Sequence, residues 1–542
     1  MSKIDRGLDV VIVGAGLAGL YMLHSLRGKG FNARVYEAGS GVGGTWYWNR
    51  YPGARCDVQS LEYSYSFSDD LQQDWEWSER FATQPEILRY VNHVADRFDL
   101  RRDIRFDSRV AAMDYDEASG TWTVRTEGGE TVTVPFCIMA SGCLSAARAP
   151  EIPGLDGFGG PVYHTGQWPH EAVDFTGQRV GLIGTGSSGI QTTPVVAEQA
   201  AELVVFQRTP NFSIPARNGP HEPGLVAEWK AQYPEQRDRA RETTAGILYE
   251  YTDLKAHDVA DDARTETFEL RWARGGTNFM RTFTDLMLDK RANDTAADFV
   301  RSKIRSIVKD PATAAMLSPH NHPIGTKRIC VDDLYYHTFN RPNVRLVDIR
   351  ATPIEAITAT GVRTSAENFA FDSLILATGF DAMTGPLLRI AITGRGGRPL
   401  AQAWADGPRT YLGLMVAGYP NLFTITGPGS PSVLTNMIVS IEQHVDWIAD
   451  CLVALRRTGT AVIEADPAAQ DAWVQHVNEV ADQTLFPQAN SWYMGANVPG
   501  KPRVFMPYVG GFARYRATCA EVAAKGYEGF HLSPATRHVS AA

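Results

Sequence analysis

The run Asp9-Val10-Val11-Ile12-Val13-Gly14-Ala15-Gly16-Leu17-Ala18-Gly19 decides the fold. Its first half is a short β-branched stretch of the kind buried on both faces of a parallel sheet. Its second half is a Gly-x-Gly-x-x-Gly turn, and the residues after it predict a helix from Leu20 to about Arg27. A further strand, Ala33 to Glu37, ends in a carboxylate. Gly14, Gly16 and Gly19 permit a tight turn and let a pyrophosphate approach the helix N-terminus. Glu37 is placed to accept hydrogen bonds from ribose hydroxyls and to repel a 2′-phosphate, so FAD or NAD fits here. Strand, turn, helix, strand and acid in this order are far more specific than the glycines alone.

The pattern occurs a second time. Arg179 to Ile183 repeats the strand, and Gly184-Thr185-Gly186-Ser187-Ser188-Gly189 repeats the turn, with hydroxyls suited to phosphate oxygens. The next strand, Leu203 to Gln207, ends in Arg208-Thr209 rather than in an acid. A cation there suits the extra phosphate of NADP, and Lys327 supplies a second one if the fold brings it near. The first site is therefore expected to take FAD and the second NADPH. The fold class is α/β, with two dinucleotide-binding, Rossmann-like domains and a helical insertion in the second.

Composition narrows the class. The chain has 542 residues, 44% hydrophobic and 21% charged, with 52 basic and 61 acidic side chains and a formal charge of −9. Without a basic block, neither nucleic acid nor an anionic membrane is an expected partner. The six cysteines contain no Cys-x-x-Cys pair, which argues against zinc, an iron–sulfur cluster or a redox dithiol; no metal site is expected. No signal-peptide pattern or membrane-spanning apolar run is read, and a cytoplasmic protein is expected. Monomer and weak homodimer both remain open.

A reduced flavin can pass electrons to a disulfide, a protein partner or oxygen. The first needs a cysteine pair that is missing. The second, an NADPH–flavin reductase, gives no reason for the aromatic, arginine-rich run between the fingerprints, Gly43-Gly44-Thr45-Trp46-Tyr47-Trp48-Asn49-Arg50-Tyr51-Pro52-Gly53-Ala54-Arg55-Cys56-Asp57. That run resembles the long signature of type I Baeyer–Villiger monooxygenases. Phe158-Gly159-Gly160-Pro161-Val162-Tyr163-His164-Thr165-Gly166-Gln167-Trp168-Pro169 resembles the family's second signature. Asp372 to Asp381 and Ser491 to Gly500 are similar too, and the likeness is strongest to the phenylacetone and steroid monooxygenase branch.

The resemblance implies that NADPH reduces FAD and that oxygen adds to flavin C4a. The peroxide then attacks a ketone, and the Criegee adduct rearranges to an ester or lactone; sulfides are expected as further substrates. A flavin N- or S-oxygenase is the alternative within the same chemistry. Arg328 is implied as the cation beside the flavin, held by Asp57 through a charge-assisted hydrogen bond. The candidate FAD set is Gly14, Gly16, Gly19, Glu37, Gly44, Thr45, Trp46, Asp57, Tyr63, Val110 and Met437. The candidate NADP set is Thr185, Gly186, Ser187, Ser188, Gly189, Gln191, Arg208, Thr209, Lys327, Arg328 and Trp492. Val58, Cys143, Leu144, Ser432, Val433 and Leu434 are expected to line a pocket for a bulky, mostly hydrophobic ketone. His164 lacks a partner at ligand spacing and is read as a structural hydrogen-bonding residue, and Trp168 as packing.

The expected organisation is an FAD domain at 1–146, an NADP domain at 147–214, a helical insertion at 215–323, the rest of the NADP domain at 324–380, and the rest of the FAD domain at 381–542. Helices are expected near Val226 to Gln232, Ala297 to Lys309 and Leu434 to Arg456. A mobile loop near 487–511 is expected to close over nucleotide and substrate.

Overall fold

The computed structural model describes residues 7–534. Two five-stranded, all-parallel sheets organise it. The first runs Leu422–Thr424, Phe136–Met139, Val10–Val13, Ala33–Tyr36, Ile104–Arg105. The second runs Val344–Asp348, Glu202–Gln207, Arg179–Ile183, Ser373–Leu376, Val162–His164. Each fingerprint strand sits in the middle of its sheet, which is why it reads as an unbroken apolar run: Val10, Val11 and Ile12 are fully buried, as are Val180 and Leu182. Parallel sheets need cover on both faces, and apolar strands of this kind supply both.

Both glycine turns solve the same steric problem in the same way. Gly14 has φ +105° and Gly184 φ +114°; a Cβ on either would lie 2.6 Å from the Ala140 carbonyl oxygen or 2.3 Å from that of Ala377. The first helix begins at Leu17, earlier than the sequence pattern suggests, and the second at Ser187, so Gly19 and Gly189 lie inside them. The third glycine thus brings the first helical turn against the preceding strand end. A Cβ on Gly19 would sit 1.8 Å from the Gly14 carbonyl oxygen, and one on Gly189 2.1 Å from that of Gly184.

The carboxyl ends of the two sheets face one cleft. Between Ser213–Ile214 and Cys330–Val331, which pair as two short parallel strands, the described chain is helical, with helices Leu225–Ala231, Tyr233–Arg241, Asp261–Arg274, Lys290–Ile307 and Pro311–Leu317. The helix expected from Ala297 starts at Lys290 because Asp289 caps it, accepting from the Arg291 N–H. The helix expected from Leu434 starts at Met437 for the same reason, with Asn436 accepting from the Ile438 N–H. A four-stranded sheet is antiparallel except where Ala391–Thr393 pairs parallel to Val110–Asp116, and Ile354–Thr358, Gly361–Thr364 and Asn368–Ala370 form a three-stranded antiparallel sheet. The 487–511 segment carries only two short 3₁₀ turns, Phe486–Gln488 and Trp492–Met494.

Gly19→Ala forces a methyl group into the Gly14 carbonyl. Overpacking of this kind costs about 1–3 kcal/mol. Thermal unfolding should show a clear loss of stability, whereas Gly28→Ala, at a position with nothing within 4 Å of an added Cβ, should leave the midpoint unchanged or slightly raised.

Candidate functional site

A cavity of about 1530 Å³ runs between the two glycine turns. It exceeds the roughly 300–1,000 Å³ of a single small-molecule pocket, as room for two dinucleotides requires. Of the sequence-derived flavin set, Gly14, Gly16, Glu37, Gly44, Thr45, Trp46, Asp57, Tyr63, Val110 and Met437 line it. Gly19 does not, because it is spent on helix packing. Glu37 is buried, and its carboxylate is partly occupied: Oε2 accepts from the Ala15 N–H at 2.6 Å and Oε1 from the Gly39 N–H at 2.7 Å. It therefore shapes the turn as well as offering its remaining lone pairs to a ribose. Burial pushes its acidity down, so its pKa is raised, and the two N–H groups offset part of that shift.

Thr185, Gly186, Ser187, Ser188, Gln191, Arg208, Thr209, Lys327, Arg328 and Trp492 line the other part of the cleft, and Gly189 again does not. Thr185 is not a free phosphate donor, since its hydroxyl donates to the Thr209 carbonyl at 2.9 Å. Gln191 faces the aromatic run: Oε1 accepts from the Tyr51 hydroxyl at 2.9 Å and Nε2 donates to the Arg55 carbonyl at 3.2 Å. The two signatures also meet, with the Trp168 N–H donating to the Trp48 carbonyl at 3.2 Å. His164 is a structural residue: one ring nitrogen lies 3.0 Å from the Arg148 carbonyl and the other accepts from the Gly166 N–H.

The fold brings Lys327 close to Arg208. Burial and the Arg208 charge pull the Lys327 ammonium down to about 8. Two cations held together without a carboxylate need an anion between them, and a phosphate monoester suits the gap. Other polar groups in the cleft wall are also unmet. The Ser491 hydroxyl, on a residue only 2% exposed, and the Asn497 Oδ1 have no protein partner. Buried groups of this kind fit a polar ligand. The residues present thus fit both dinucleotides.

Between the crevices stands one ion pair. Arg328 Nε donates to Asp57 Oδ2 at 2.8 Å and Nη2 to Oδ1 at 2.7 Å, while Nη1 donates to the Val433 carbonyl at 2.9 Å. Of the five guanidinium N–H groups, two remain for other acceptors. The side chains are 28% and 26% exposed, facing the cleft. Burial alone would pull the guanidinium down, but the charge and hydrogen bonds of Asp57, with smaller contributions from the nearby Tyr493 and Tyr249, hold it well above its ordinary value. It is a permanent, fixed cation.

Beside it Val58, Cys143, Leu144, Val433 and Met437 line the cavity. Ser432 and Leu434 do not. Ser432 is fully buried, in a left-handed conformation with φ +44°, and its hydroxyl donates to the Thr426 carbonyl at 3.2 Å. Leu434 packs instead against a cluster that includes Phe486, Tyr493 and Phe505. The alternation of the 3₁₀ turn Ser432–Leu434 sends only Val433 to the cleft. Sequence reasoning missed Asn211, whose amide donates to the Arg328 carbonyl and the Cys330 sulfur, and Arg148, Asn490, Asn497 and Arg503, all at the cleft; of these only Asn497 lies in a quoted motif, Ser491 to Gly500, which could have flagged it. Among the described residues no cluster of His, Cys, Asp or Glu could hold a metal ion, and no helix is long and apolar enough to cross a membrane.

Residues 7–218 match the FMO-like family, flavin-binding monooxygenase-like. A Baeyer–Villiger monooxygenase of Pseudooceanicola batsensis is 43% identical over 97% of this chain and 96% of its own. The chain belongs to the Baeyer–Villiger monooxygenase family. The phenazine N-monooxygenase PhzNO1 of Lysobacter antibioticus is 41% identical over 97% of both chains. An oxidised steroid monooxygenase bound to NADP shares 53% identity and a TM-score of 0.93, covering 97% of this chain and 100% of that one.

In this monooxygenase the low value of Lys327 sets a pH window. A phosphate bound here would favour the charged ammonium, so NADP⁺ affinity is expected to fall as pH rises through about 8, with proton uptake on binding there. In Lys327→Arg, whose guanidinium stays charged, titration calorimetry between neutral and alkaline pH should show no such fall.

Proposed function

We propose that this chain is an FAD- and NADPH-dependent ketone monooxygenase that inserts one oxygen atom of O2 beside a ketone carbonyl, giving an ester or lactone. Sulfides are a second substrate class. The observation that carries the reading is the bidentate Asp57–Arg328 pair, with two unused donors, at the junction of two nucleotide crevices. Support comes from the relatives, a Baeyer–Villiger monooxygenase and a steroid monooxygenase among them.

Gly14, Gly16, Glu37, Gly44, Thr45, Trp46, Tyr63, Val110 and Met437 would hold FAD. Gly186, Ser187, Ser188, Arg208, Thr209, Lys327 and Trp492 would hold NADPH. Bound FAD, reduced by NADPH, supplies the activation of oxygen. Asp57 keeps the Arg328 fork in one orientation, so no reorganisation is needed when negative charge develops. Arg328 then donates to the oxygen that carries this charge, including the ketone oxygen as it loses its double bond. Its permanent charge also spares the site a titrating group. Val58, Cys143, Leu144, Val433 and Met437 exclude water and favour a bulky, mostly hydrophobic ketone.

The domain division we propose is FAD at 1–146 and 381–542, NADP at 147–214 and 324–380, with 215–323 as the insertion. The enzyme acts in the cytoplasm as a monomer or weak homodimer on small-molecule substrates.

A second reading, N- or S-oxygenation, is favoured by one observation, the likeness to a phenazine N-monooxygenase. NADPH consumption with product analysis over phenylacetone, cyclohexanone, a macrocyclic ketone, a 20-ketosteroid and a phenazine separates the two. Ester or lactone from any ketone supports the first; only N-oxide or sulfoxide overturns it. Arg328→Ala should keep anaerobic reduction of the flavin by NADPH and lose about 10²–10³-fold in product formation, the scale for removing one preorganised donor. Ester formation at a near-normal rate would refute the role given to Arg328.

A further inference from the structure

The chain crosses between the two parallel sheets at 143–148 and again at 379–383. The two crossings run side by side. The Met383 N–H donates to the Cys143 carbonyl at 2.7 Å, the Asp381 N–H to that of Ala146 at 2.9 Å, and the Arg148 N–H to that of Gly379 at 3.2 Å. Ala147 and Phe380 form an antiparallel bridge. Any change in the angle between the sheets must pass through this pair of strands.

The 487–511 segment grips it. Asn497 Nδ2 donates to the Phe380 carbonyl at 2.7 Å, and Arg148 Nη1 donates to the Asn497 carbonyl at 3.0 Å. Lys501 Nζ donates to Asp381 Oδ1 and to the Ala382 carbonyl, both at 2.7 Å. The Lys501 side chain is only 10% exposed and Asp381 27%. Removing one partner from so enclosed a pair leaves the other charge without its hydrogen bonds, so the contact holds the segment and the crossing together. The same segment carries Trp492 at the cleft, and the turn that presents it packs directly on the latch: a Cβ on Gly495 would lie 2.8 Å from the Pro502 carbonyl oxygen and 3.3 Å from the Lys501 side chain.

We propose that Lys501 is a positioning residue for this monooxygenase, latching the Trp492-bearing segment to the paired crossings so that the nucleotide is enclosed only at one angle between the sheets. The proposal rests on the NADP site described above, but not on which substrate is oxygenated. Lys501 touches neither the phosphate-facing cations nor Arg328, so its effect differs from theirs: it acts on retention of the whole nucleotide, with no preference for the 2′-phosphate.

The test uses FAD-loaded enzyme and NADP⁺. In Lys501→Met, the NADP⁺ dissociation constant should rise by about tenfold, within the usual 5–150-fold span of coupling between sites. KM should rise by the same factor for NADPH and NADH, with FAD content unchanged. Limited proteolysis within 487–511 should be suppressed by NADP⁺ in the parent and not in the variant. Lys501→Arg should restore protection, and Asp381→Asn should weaken binding without adding to Lys501→Met when the two are combined. Unchanged NADP⁺ affinity and protection in Lys501→Met, effects of the two substitutions that multiply, or a change confined to NADPH would each overturn the proposal. If the proposed oxygenation fails, no ester is formed in the parent, while these binding and protection readouts stand.

Discussion

A carboxylate and a guanidinium 271 residues apart in sequence meet through two hydrogen bonds, and much of the architecture serves to make them meet. Asp57 ends the aromatic run that leaves the first nucleotide crevice. Arg328 lies two residues before the strand Cys330–Val331, in the chain returning from the helical segment. Neither can be placed by its own neighbours. Their meeting requires the carboxyl ends of both sheets to face one cleft, which in turn requires contacts that hold the sheets in register. Trp48 with Trp168 and Tyr51 with Gln191 provide them. The aromatic run is long because it does two jobs at once: Gly44 to Trp46 line the cavity beside the first glycine turn, and Trp48 to Arg55 brace the opposite half.

What was legible in the sequence follows from the range of the forces involved. Both fingerprints, their strands and the acid-versus-cation contrast at Glu37 and Arg208 are local features, fixed by sterics within about thirty residues, and they stand where expected. The first helix starts at Leu17 rather than the expected Leu20 because Gly19 looks like a turn residue until the carbonyl of Gly14 is seen against it. The roles of Thr185 and Gln191 shifted for a different reason. A hydroxyl or amide advertises hydrogen-bonding capacity, but tertiary structure decides which partner takes it. In Ser432–Leu434 the sequence identified the right segment and could not tell which of three consecutive side chains faces the cleft, because a 3₁₀ turn distributes them to three directions. Asn211 and Lys501 carry no motif at all; each matters only through residues more than a hundred positions away.

The polar character of the cleft has a physical logic of its own. Its cations are of two kinds. Arg328 is neutralised by a carboxylate of the chain and keeps spare donors, so it can meet an anion that comes and goes. Lys327 and Arg208 have only each other, and the burial that pulls Lys327 down to about 8 leaves them receptive to a ligand that stays. Transient charge and resident charge are thus served by different electrostatic arrangements in one cavity.

The short parallel pair Ser213–Ile214 and Cys330–Val331 closes the helical segment at its base, so the chain departs and comes back at adjoining points. Loop-closure entropy grows only with the logarithm of length. Helices can therefore be added to or trimmed from that segment at small cost while the guanidinium just before the returning strand stays at its post, which makes this the part of the chain that evolution, or a protein engineer, can vary in length without disturbing the chemistry of the cavity.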